Sequence, residues 1–146
     1  MRLDISKWDE RFLRMVDEVT SWSKDPTTKC GAIIVRPDRS IVSYGYNGFP
    51  SRIGDRPMRL NDRPLKNELV VHSEINALLF ARENCEGYTM YTSTVPCYKC
   101  GCAIYIIQAK IARVICRPPS EDYINRWGIQ KTMDLFKEGR VICYWE

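Results

Sequence analysis

Hydrophobic residues at helical spacing mark the start of the chain. Across residues 8–22, large apolar side chains recur every three or four positions, and charged residues fill most of the others. This pattern predicts an amphipathic helix with one buried face. Two β-rich runs follow, Gly31–Val35 and Ile41–Tyr46, and the turn-forming residues 37–40 separate them. These runs predict a β-hairpin.

The periodicity disappears across residues 48–67, where three prolines alternate with basic residues, and this predicts a long functional loop. The rest of the pattern predicts helices at 73–84, at 97–109 and within 121–137, and strands at 89–93, 114–116 and 141–145. Alternating helices and strands are typical of an α/β fold. We therefore expect a three-layer α-β-α sandwich around a mixed, roughly five-stranded sheet.

Length and composition narrow the class of protein. With 146 residues and 45% apolar content, the chain has the size of one domain over residues 1–146. Its first residues carry charges where a signal peptide is apolar, and no apolar run is long enough to span a membrane. Seven cysteines without a secretory signal indicate reduced thiols in the cytoplasm of a cell or of a viral host. The net charge of +4 comes from interspersed signs, which favours a small anionic ligand over nucleic acid.

Two short motifs carry residues suited to metal chemistry. The only histidine begins the run H-S-E at residues 72–74, and a cysteine pair stands in the run P-C-Y-K-C at residues 96–100. Cysteines at i and i+3 of a helix point to one side, and a helix N-terminus stabilises their thiolates. His72, Cys97 and Cys100 therefore supply three zinc ligands and leave the fourth position to water, as in a catalytic site.

Glu74 stands close enough to the predicted metal to reach that water without being a ligand. Zinc lowers the pKa of its water to about 7, and a carboxylate there can pass protons to a ring nitrogen and to a leaving amine. The two motifs together match the H-x-E and P-C-x-x-C signature of zinc deaminases. Either motif alone also fits structural zinc, redox chemistry or chance. The remaining cysteines are expected to be core thiols, with Cys102 facing away from the metal on its helix.

Residues 8–116 resemble the deoxycytidylate (dCMP) deaminases of the cytidine deaminase superfamily. The resemblance rests on S-K-D-P at residues 23–26, K-C-G-A at 29–32, G-Y-N-G-F-P at 45–50 and the two zinc motifs. It implies a cytidine deaminase-like fold and hydrolytic deamination of dCMP to dUMP, which feeds thymidylate synthesis in pyrimidine metabolism.

The same resemblance implies which residues contact the substrate. Asn47 binds a sugar hydroxyl, the backbone N–H of Ser73 meets the base carbonyl, and the backbone carbonyl of Val95 accepts a hydrogen bond from the amine. Because N-G is also a common turn sequence, a purely structural role for Asn47 stays open.

A nucleotide substrate also needs cations or hydroxyls around its phosphate. The candidates are Lys24, Lys29, Arg52 and Tyr123, and a solvated surface position is equally compatible with any one of them. Members of the resembling family are hexamers that are activated by dCTP and inhibited by dTTP. These effectors bind with magnesium near the G-Y-N-G loop and a subunit boundary. We therefore expect a homo-oligomer whose effector site includes Lys24, Tyr46, Gly48 and Arg52.

Three alternatives stay open on the sequence alone. One is a deaminase of another cytosine substrate, such as dCTP or cytidine. The second is a deaminase of tRNA or polynucleotides, for which we expect a basic and aromatic surface stripe, whereas the positive residues here concentrate on one loop. The third is a structural zinc module without enzyme activity, in which another cysteine closes the metal site.

Overall fold

The computed structural model describes residues 5–98 and 102–145. The helices are α1 (Lys7–Ser21), α2 (Pro57–Leu60), α3 (Arg63–Leu69), α4 (Ser73–Ala81), α5 (Cys102–Gln108), α6 (Glu121–Trp127) and α7 (Ile129–Glu138). The strands are β1 (Gly31–Val35), β2 (Ile41–Tyr46), β3 (Thr89–Thr92), β4 (Arg113–Cys116) and β5 (Ile142–Trp145). They form a five-stranded sheet in the order β2-β1-β3-β4-β5. β1 is antiparallel to β2 and β3, whereas β3, β4 and β5 are parallel, which confirms the predicted mixed sheet.

Helices cover both faces of the sheet because side chains alternate along each strand. Ile33 and Val35 of β1 point to one face, where they pack with Phe12 of α1. Ala32 and Ile34 point to the other face, where they belong to a cluster with buried residues of α4, α5 and α7. This arrangement confirms the three layers expected from the sequence.

The first helix begins where its sequence provides a cap. The Ser6 hydroxyl accepts a hydrogen bond from the N–H of Asp9 at 3.1 Å, and the Asp9 carboxylate accepts one from the N–H of Ser6 at 2.9 Å. This reciprocal capping box satisfies N–H groups that have no partner inside the helix. The helix buries Phe12, Val16 and Val19. Of the apolar stripe predicted for residues 8–22, only Phe12 and Val19 are therefore buried, whereas Trp8, Met15 and Trp22 are exposed.

Two elements differ from their predictions for local reasons. The segment predicted as a loop over residues 48–67 contains α2 and most of α3, with Pro57 as the first residue of α2 and Pro64 as the second of α3. Proline suits the first turn of a helix, where its missing N–H has no intrahelical acceptor. The single helix predicted within 121–137 is divided into α6 and α7, because Gly128 between them adopts a φ of 62°.

Two helices are shorter than predicted. α4 ends at Ala81 because Arg82 adopts the left-handed conformation with a φ of 54°. α5 lies inside the predicted range 97–109, of which residues 99–101 are outside the described part of the chain. Within residues 5–98 and 102–145, no helix has the length and apolar character that crossing a membrane requires.

Candidate active site

The H-S-E run lies at the N-terminus of α4, where it packs against β2. His72 is the residue before the helix and has an extended backbone, and Ser73 and Glu74 in the first turn are buried. α4 approaches β2 closely because Gly45 has no side chain. A Cβ at this position would collide with the Ser73 carbonyl and lie 2.6 Å from the backbone nitrogen of Ala77. The first glycine of the G-Y-N-G run therefore determines how near the H-S-E residues lie to the sheet.

Cys97 comes shortly after β3 and faces His72. Its Sγ lies 3.9 Å from Nδ1 of His72 and 3.8 Å from Sγ of Cys102. The ligand atoms of these three residues all lie within 4.8 Å of one another. Tetrahedral zinc, with bonds of about 2.0–2.3 Å, separates its ligand atoms by roughly 3.3–3.8 Å. The separations and the donor types, two thiols and an imidazole, therefore fit one zinc ion.

The structure changes the expected role of Cys102. The predicted ligand Cys100 lies outside the described residues, so the structure does not place it. Cys102 was expected to face away from the metal, and this prediction is wrong, because its thiol is buried within the cluster. The expectation assumed a continuous helix from residue 97, whereas Cys97 and Tyr98 are not helical.

The charges of the site shift the proton affinities of its residues. Burial raises the pKa of the Glu74 carboxyl, and the neighbouring Cys97 acts in the same direction. A hydrogen bond with Cys97 raises the pKa of the His72 imidazole. The backbone N–H of Glu74 itself and the neighbouring His72 act in the opposite direction and lower the pKa of this carboxyl. A carboxyl with a raised pKa is suited to accept and release protons near neutral pH.

A cavity of about 500 Å³ opens beside these residues, a size typical of small-ligand sites. Its lining comprises Asp25, Thr27, Thr28, Cys30, Asn47, Arg63, Lys66, Asn67, Val70, His72, Glu74, Thr94, Cys97, Ser120, Asp122, Tyr123, Arg126 and Trp127. Cys30 was expected to be a core thiol, but it lines this cavity near Glu74, and burial raises the pKa of its thiol to about 12. The cavity therefore joins the H-S-E run, Cys97 and the residue after β2.

Asn47 directly follows β2 and is held by the segment before β1. Its Oδ1 accepts a hydrogen bond from the N–H of Cys30 at 2.8 Å, and its Nδ2 donates to the carbonyl of Thr28 at 2.9 Å. A side-chain amide has two N–H donors and two acceptor lone pairs, so one of each stays available to a ligand. The tight turn between β1 and β2 occurs before Ile41, so Asn47 and Gly48 do not form it.

The predicted backbone contacts lie just behind the cavity wall. Ser73 and Val95 are fully buried, while the adjacent Glu74 and Thr94 line the cavity. The Val95 carbonyl accepts a hydrogen bond from the Tyr123 hydroxyl at 2.8 Å, which leaves its second lone pair for another donor. Burial raises the pKa of Tyr123, so this hydroxyl stays protonated and able to donate.

The cations of the cavity are not those that the sequence suggested. Lys29 is exposed and does not line the cavity. Three other cations do, namely Arg63 and Lys66 from α3 and Arg126 from α6. Arg63 and Lys66 are three residues apart in a segment predicted as a loop. Reading the prolines there as helix starts would have placed the two side chains on neighbouring positions of one helix.

The four predicted effector residues do not gather at one place. Tyr46 and Gly48 line a second cavity of about 620 Å³ along the outer edge of β2, together with Phe49. Lys24 forms an exposed ion pair with Asp55, with Nζ and Oδ2 3.0 Å apart. Arg52 is exposed, and neither it nor Lys24 lines the second cavity.

Comparison with known proteins identifies sequence relatives over most of the chain. The family model for the cytidine and deoxycytidylate deaminase zinc-binding region matches residues 6–117. An uncharacterized deaminase of Aliivibrio fischeri is 41% identical over 143 residues, which cover 97% of this chain and 95% of that protein. Human deoxycytidylate deaminase is 36% identical over 120 residues, covering 78% of this chain and 66% of the human protein. The deoxycytidylate deaminase of Mycobacterium phage D29 is 34% identical over 121 residues, which cover 74% of this chain and 92% of the phage protein.

Solved structures share the fold at lower sequence identity. The dCMP deaminase of cyanophage S-TIM5, in complex with dCMP and dUMP, matches with a TM-score of 0.79 and 22% identity, covering 99% of this chain and 100% of that chain. A tRNA:A34 deaminase structure matches with a TM-score of 0.59 and 19% identity, and the match covers 94% of this chain and 99% of that chain. These likenesses confirm the expected α-β-α architecture.

Proposed function

Since the chain belongs to the cytidine and deoxycytidylate deaminase family and is a zinc-dependent deaminase, we propose that its substrate is dCMP, which it hydrolyses to dUMP and ammonia. The observation that carries this proposal is one cavity of about 500 Å³ lined by His72, Glu74, Cys97 and Asn47. This cavity combines residues suited to change a cytosine base with a side chain suited to hold its sugar. The human and phage D29 relatives, both named deoxycytidylate deaminase, support the choice of substrate.

Zinc would be held by His72, Cys97 and a second cysteine, which we propose to be Cys100. Cys102 also lies within ligand distance, but Cys97 and Cys100 are the i, i+3 pair of the P-C-x-x-C motif that belongs to the zinc deaminase signature. When bound, zinc supplies a Lewis acid that lowers the pKa of a coordinated water to about 7. With three protein ligands, the site keeps the open position that catalysis requires.

Glu74 carries the protons of the reaction. Its buried carboxylate accepts a proton from the attacking water and gives it to the ring nitrogen N3 of cytosine. The oxygen forms a bond to C4, and Glu74 then delivers the second water proton to the amine. The C4–N bond breaks, ammonia leaves, and the water oxygen becomes the new carbonyl of uracil.

The remaining contacts orient the nucleotide. We assign the base carbonyl to the N–H of Ser73, the amine to the carbonyl of Val95, and a sugar hydroxyl to the remaining groups of the Asn47 amide. Tyr123 helps to hold the Val95 carbonyl in place for the amine, because its hydroxyl donates a 2.8 Å hydrogen bond to that carbonyl. For the phosphate, the exposed Arg63 and Arg126 replace Lys29, because they line the same cavity.

We extend the proposal to regulation, with dCTP as activator and dTTP as inhibitor, bound with magnesium in a cytoplasmic homo-hexamer. The second cavity supports an effector site beside Tyr46 and Gly48, with Phe49 offering an aromatic surface to a base. It lies along the outer edge of the sheet, where a neighbouring subunit has access to it. Lys24 and Arg52 would reach a triphosphate only after a rearrangement of their segments.

A substrate panel tests the proposed function. Loss of cytosine absorbance is followed with dCMP, dCTP, deoxycytidine, CMP and a deaminable RNA, each with and without added dCTP or dTTP. We expect the highest kcat/KM for dCMP, faster turnover with dCTP and slower turnover with dTTP. A preference for the nucleoside or for RNA overturns the substrate assignment, and unchanged rates with both effectors overturn the regulation alone.

The variant Glu74→Ala tests the proton transfer. We expect dCMP turnover to fall by roughly 100- to 10,000-fold, the usual contribution of a general acid–base residue. Zinc content, measured by mass spectrometry of the metal, should stay at the wild-type level because Glu74 is not a ligand. Glu138→Ala removes an exposed glutamate of α7 and should behave like the wild type. Wild-type turnover in a zinc-loaded Glu74→Ala protein overturns the mechanism.

A further inference from the structure

A buried ion pair lies in the cavity wall at a distance from the metal-binding cluster. The side chains of Lys66 and Asp25 are only 6% and 9% exposed, and Nζ lies 3.1 Å from Oδ1. Nζ also donates a hydrogen bond to the hydroxyl of Thr27 at 2.7 Å. A lysine so deeply buried is uncommon and requires a charged or polar partner. The pair joins α3 to the segment that precedes β1.

Asp25 shapes the turn that holds Asn47. Its Oδ1 also accepts hydrogen bonds from the N–H groups of Thr27 and Thr28 at 2.9 and 3.0 Å. The carbonyl of Thr28 in turn accepts the hydrogen bond from Nδ2 of Asn47 at 2.9 Å. A continuous series of polar contacts therefore runs from Lys66 to Asn47.

The same segment also fixes the backbone of Asn47. The hydroxyl of Ser23 donates a hydrogen bond to the Asn47 carbonyl at 2.9 Å and accepts one from the N–H of Asp25 at 3.2 Å. The main chain and the side chain of Asn47 thus both depend on residues 23–30. A change in this segment would move the amide relative to the cavity.

Stability alone is a weak reason for such a pair, because the loss of hydration offsets the attraction and apolar replacements are often as stable. We infer that Lys66 and Asp25 are positioning residues, which lock the turn at residues 25–28 in the shape that presents the Asn47 amide to the sugar. This inference rests on the proposed function, since it requires that Asn47 contact the substrate.

Direct binding of the phosphate is the competing role for Lys66. Two of its three Nζ hydrogens already meet Asp25 and Thr27, and the carboxylate balances its charge. Arg63 and Arg126 are exposed at the same cavity, and the ion pair of Arg126 with Asp122 is itself exposed, so a phosphate can reach both arginines from solvent. The geometry therefore favours support of Asn47.

A double-mutant cycle separates these roles. Zinc-loaded wild type, Lys66→Met, Asn47→Ala and the double variant are compared by kcat and KM for dCMP. Methionine keeps the length of lysine without its charge. We expect each single variant to lower kcat/KM about tenfold, mainly through KM, and the double variant to be no worse than Asn47→Ala, because residues that act through one another are not additive.

Two outcomes of this cycle overturn the inference. Additive losses show that Lys66 acts independently of Asn47, as a phosphate ligand would. A lower Tm with unchanged kcat/KM shows that the pair serves stability only. If the wild type does not convert dCMP, the proposed function fails instead, and the same cycle is measured with the substrate of the panel that it does convert.

Two further variants keep the experiment decisive. Thr27→Val removes the hydroxyl that bridges Lys66 and Asp25 while preserving the shape of the side chain. If Lys66→Met does not fold, Thr27→Val takes its place in the cycle. Lys137→Met makes the same chemical change at an exposed position of α7. This control should retain the wild-type kcat and KM.

Discussion

The residues around Glu74 shift the pKa of its carboxyl away from the usual value of a glutamate. Burial raises its pKa, whereas its own backbone N–H and the neighbouring His72 lower it. It also occupies the first turn of α4, where the partial positive charge of the helix favours the ionised form. These opposing influences keep one carboxyl able both to accept and to release a proton, which is the task that we propose for it.

Cys100 and Cys102, the two cysteines that follow Cys97 in the sequence, should respond differently to substitution. We expect Cys100→Ser to lose most of its zinc, whereas Cys102→Ala should keep about one zinc per chain and lose several-fold in turnover, because removing a buried thiol changes the packing around Cys97. Metal analysis of the purified proteins measures the difference. Cys85→Ser, a change at another buried cysteine, serves as the control.

The opposite result would exchange the roles of the two cysteines. Zinc loss from Cys102→Ala, with zinc retained in Cys100→Ser, would make Cys102 the third ligand. Loss from both variants would indicate four protein ligands and a closed site, which has no place for a reacting water.

Single residues are predictable where a motif specifies their chemistry. The H-S-E run and the cysteine motif are enough to predict that His72, Glu74 and Cys97 share one site. Lys66 carries no such signal, because its partner Asp25 is 41 positions away and the contact exists only in the folded chain. Sequence patterns report local geometry, whereas this ion pair depends on how α3 packs against the rest of the molecule.

At the scale of elements, the contact between β2 and α4 controls the site. Ser43 of β2 donates a hydrogen bond to the carbonyl of Ala77 in α4 at 2.7 Å, and Asn76 donates one to the carbonyl of Tyr46 at 2.9 Å. Together with the missing side chain at Gly45, these bonds hold the helix against the strand. The helix carries Glu74 in its first turn, so its position sets the position of the carboxylate.

A methyl group at position 45 should therefore disturb both stability and catalysis. We expect Gly45→Ala to lower the free energy of unfolding by about 1–3 kcal/mol, the usual effect of overpacking, and to lower kcat because α4 is displaced. Urea denaturation and dCMP turnover measure the two effects. Gly54→Ala is the control, since a Cβ there meets its nearest atom at 3.6 Å. A Gly45→Ala enzyme with wild-type stability and kcat would show that the helix position does not matter.

Elements with a regular hydrophobic pattern are predicted well. The structure confirms β1 and β2 with their predicted bounds and α1 to within one residue at each end. Burial on one face sets the spacing of apolar residues in α1, whereas β1 is buried on both faces and forms a continuous apolar run. The loop prediction for the segment with α2 and α3 is wrong because a proline can start a helix as well as break one. The break at Gly128 is missed because a glycine within a helical pattern does not by itself reveal a positive φ.

At the scale of the whole molecule, the cavity depends on the complete fold. Its lining draws on the segment before β1, on α3 and α4, on the connection after β3 and on α6. We propose that residues 1–146 act as one domain, since helices pack on both faces of a shared sheet and segments distant in sequence complete the site. Unfolding followed by tryptophan fluorescence and by circular dichroism should then give the same midpoint.

The stability of this domain should fall in acid, and Asp9 is a measurable part of the reason. Burial alone would raise the pKa of Asp9, but hydrogen bonds from the Tyr91 hydroxyl and from Ser6 outweigh it, and the pKa is lowered. A lowered pKa in the folded state stabilises the protein above the unfolded pKa of about 3.9 and loses this effect as the pH falls through the folded value. In Asp9→Asn an amide NH2 group replaces the carboxylate oxygen that accepts the hydrogen bond from the N–H of Ser6. We expect this substitution to lower the free energy of unfolding by about 1 kcal/mol at pH 7.

The gap in unfolding free energy between wild type and Asp9→Asn should therefore narrow as the pH falls from about 5 toward 2, where the aspartate itself becomes neutral. Urea denaturation at a series of pH values measures it. Both proteins lose zinc alike in acid, so this loss cancels from the difference. Glu68→Gln, at an exposed position of α3, should follow the wild-type curve throughout. A gap that stays constant or widens in acid would contradict the proposed role, because only a carboxylate held ionised by its hydrogen bonds loses its advantage on protonation.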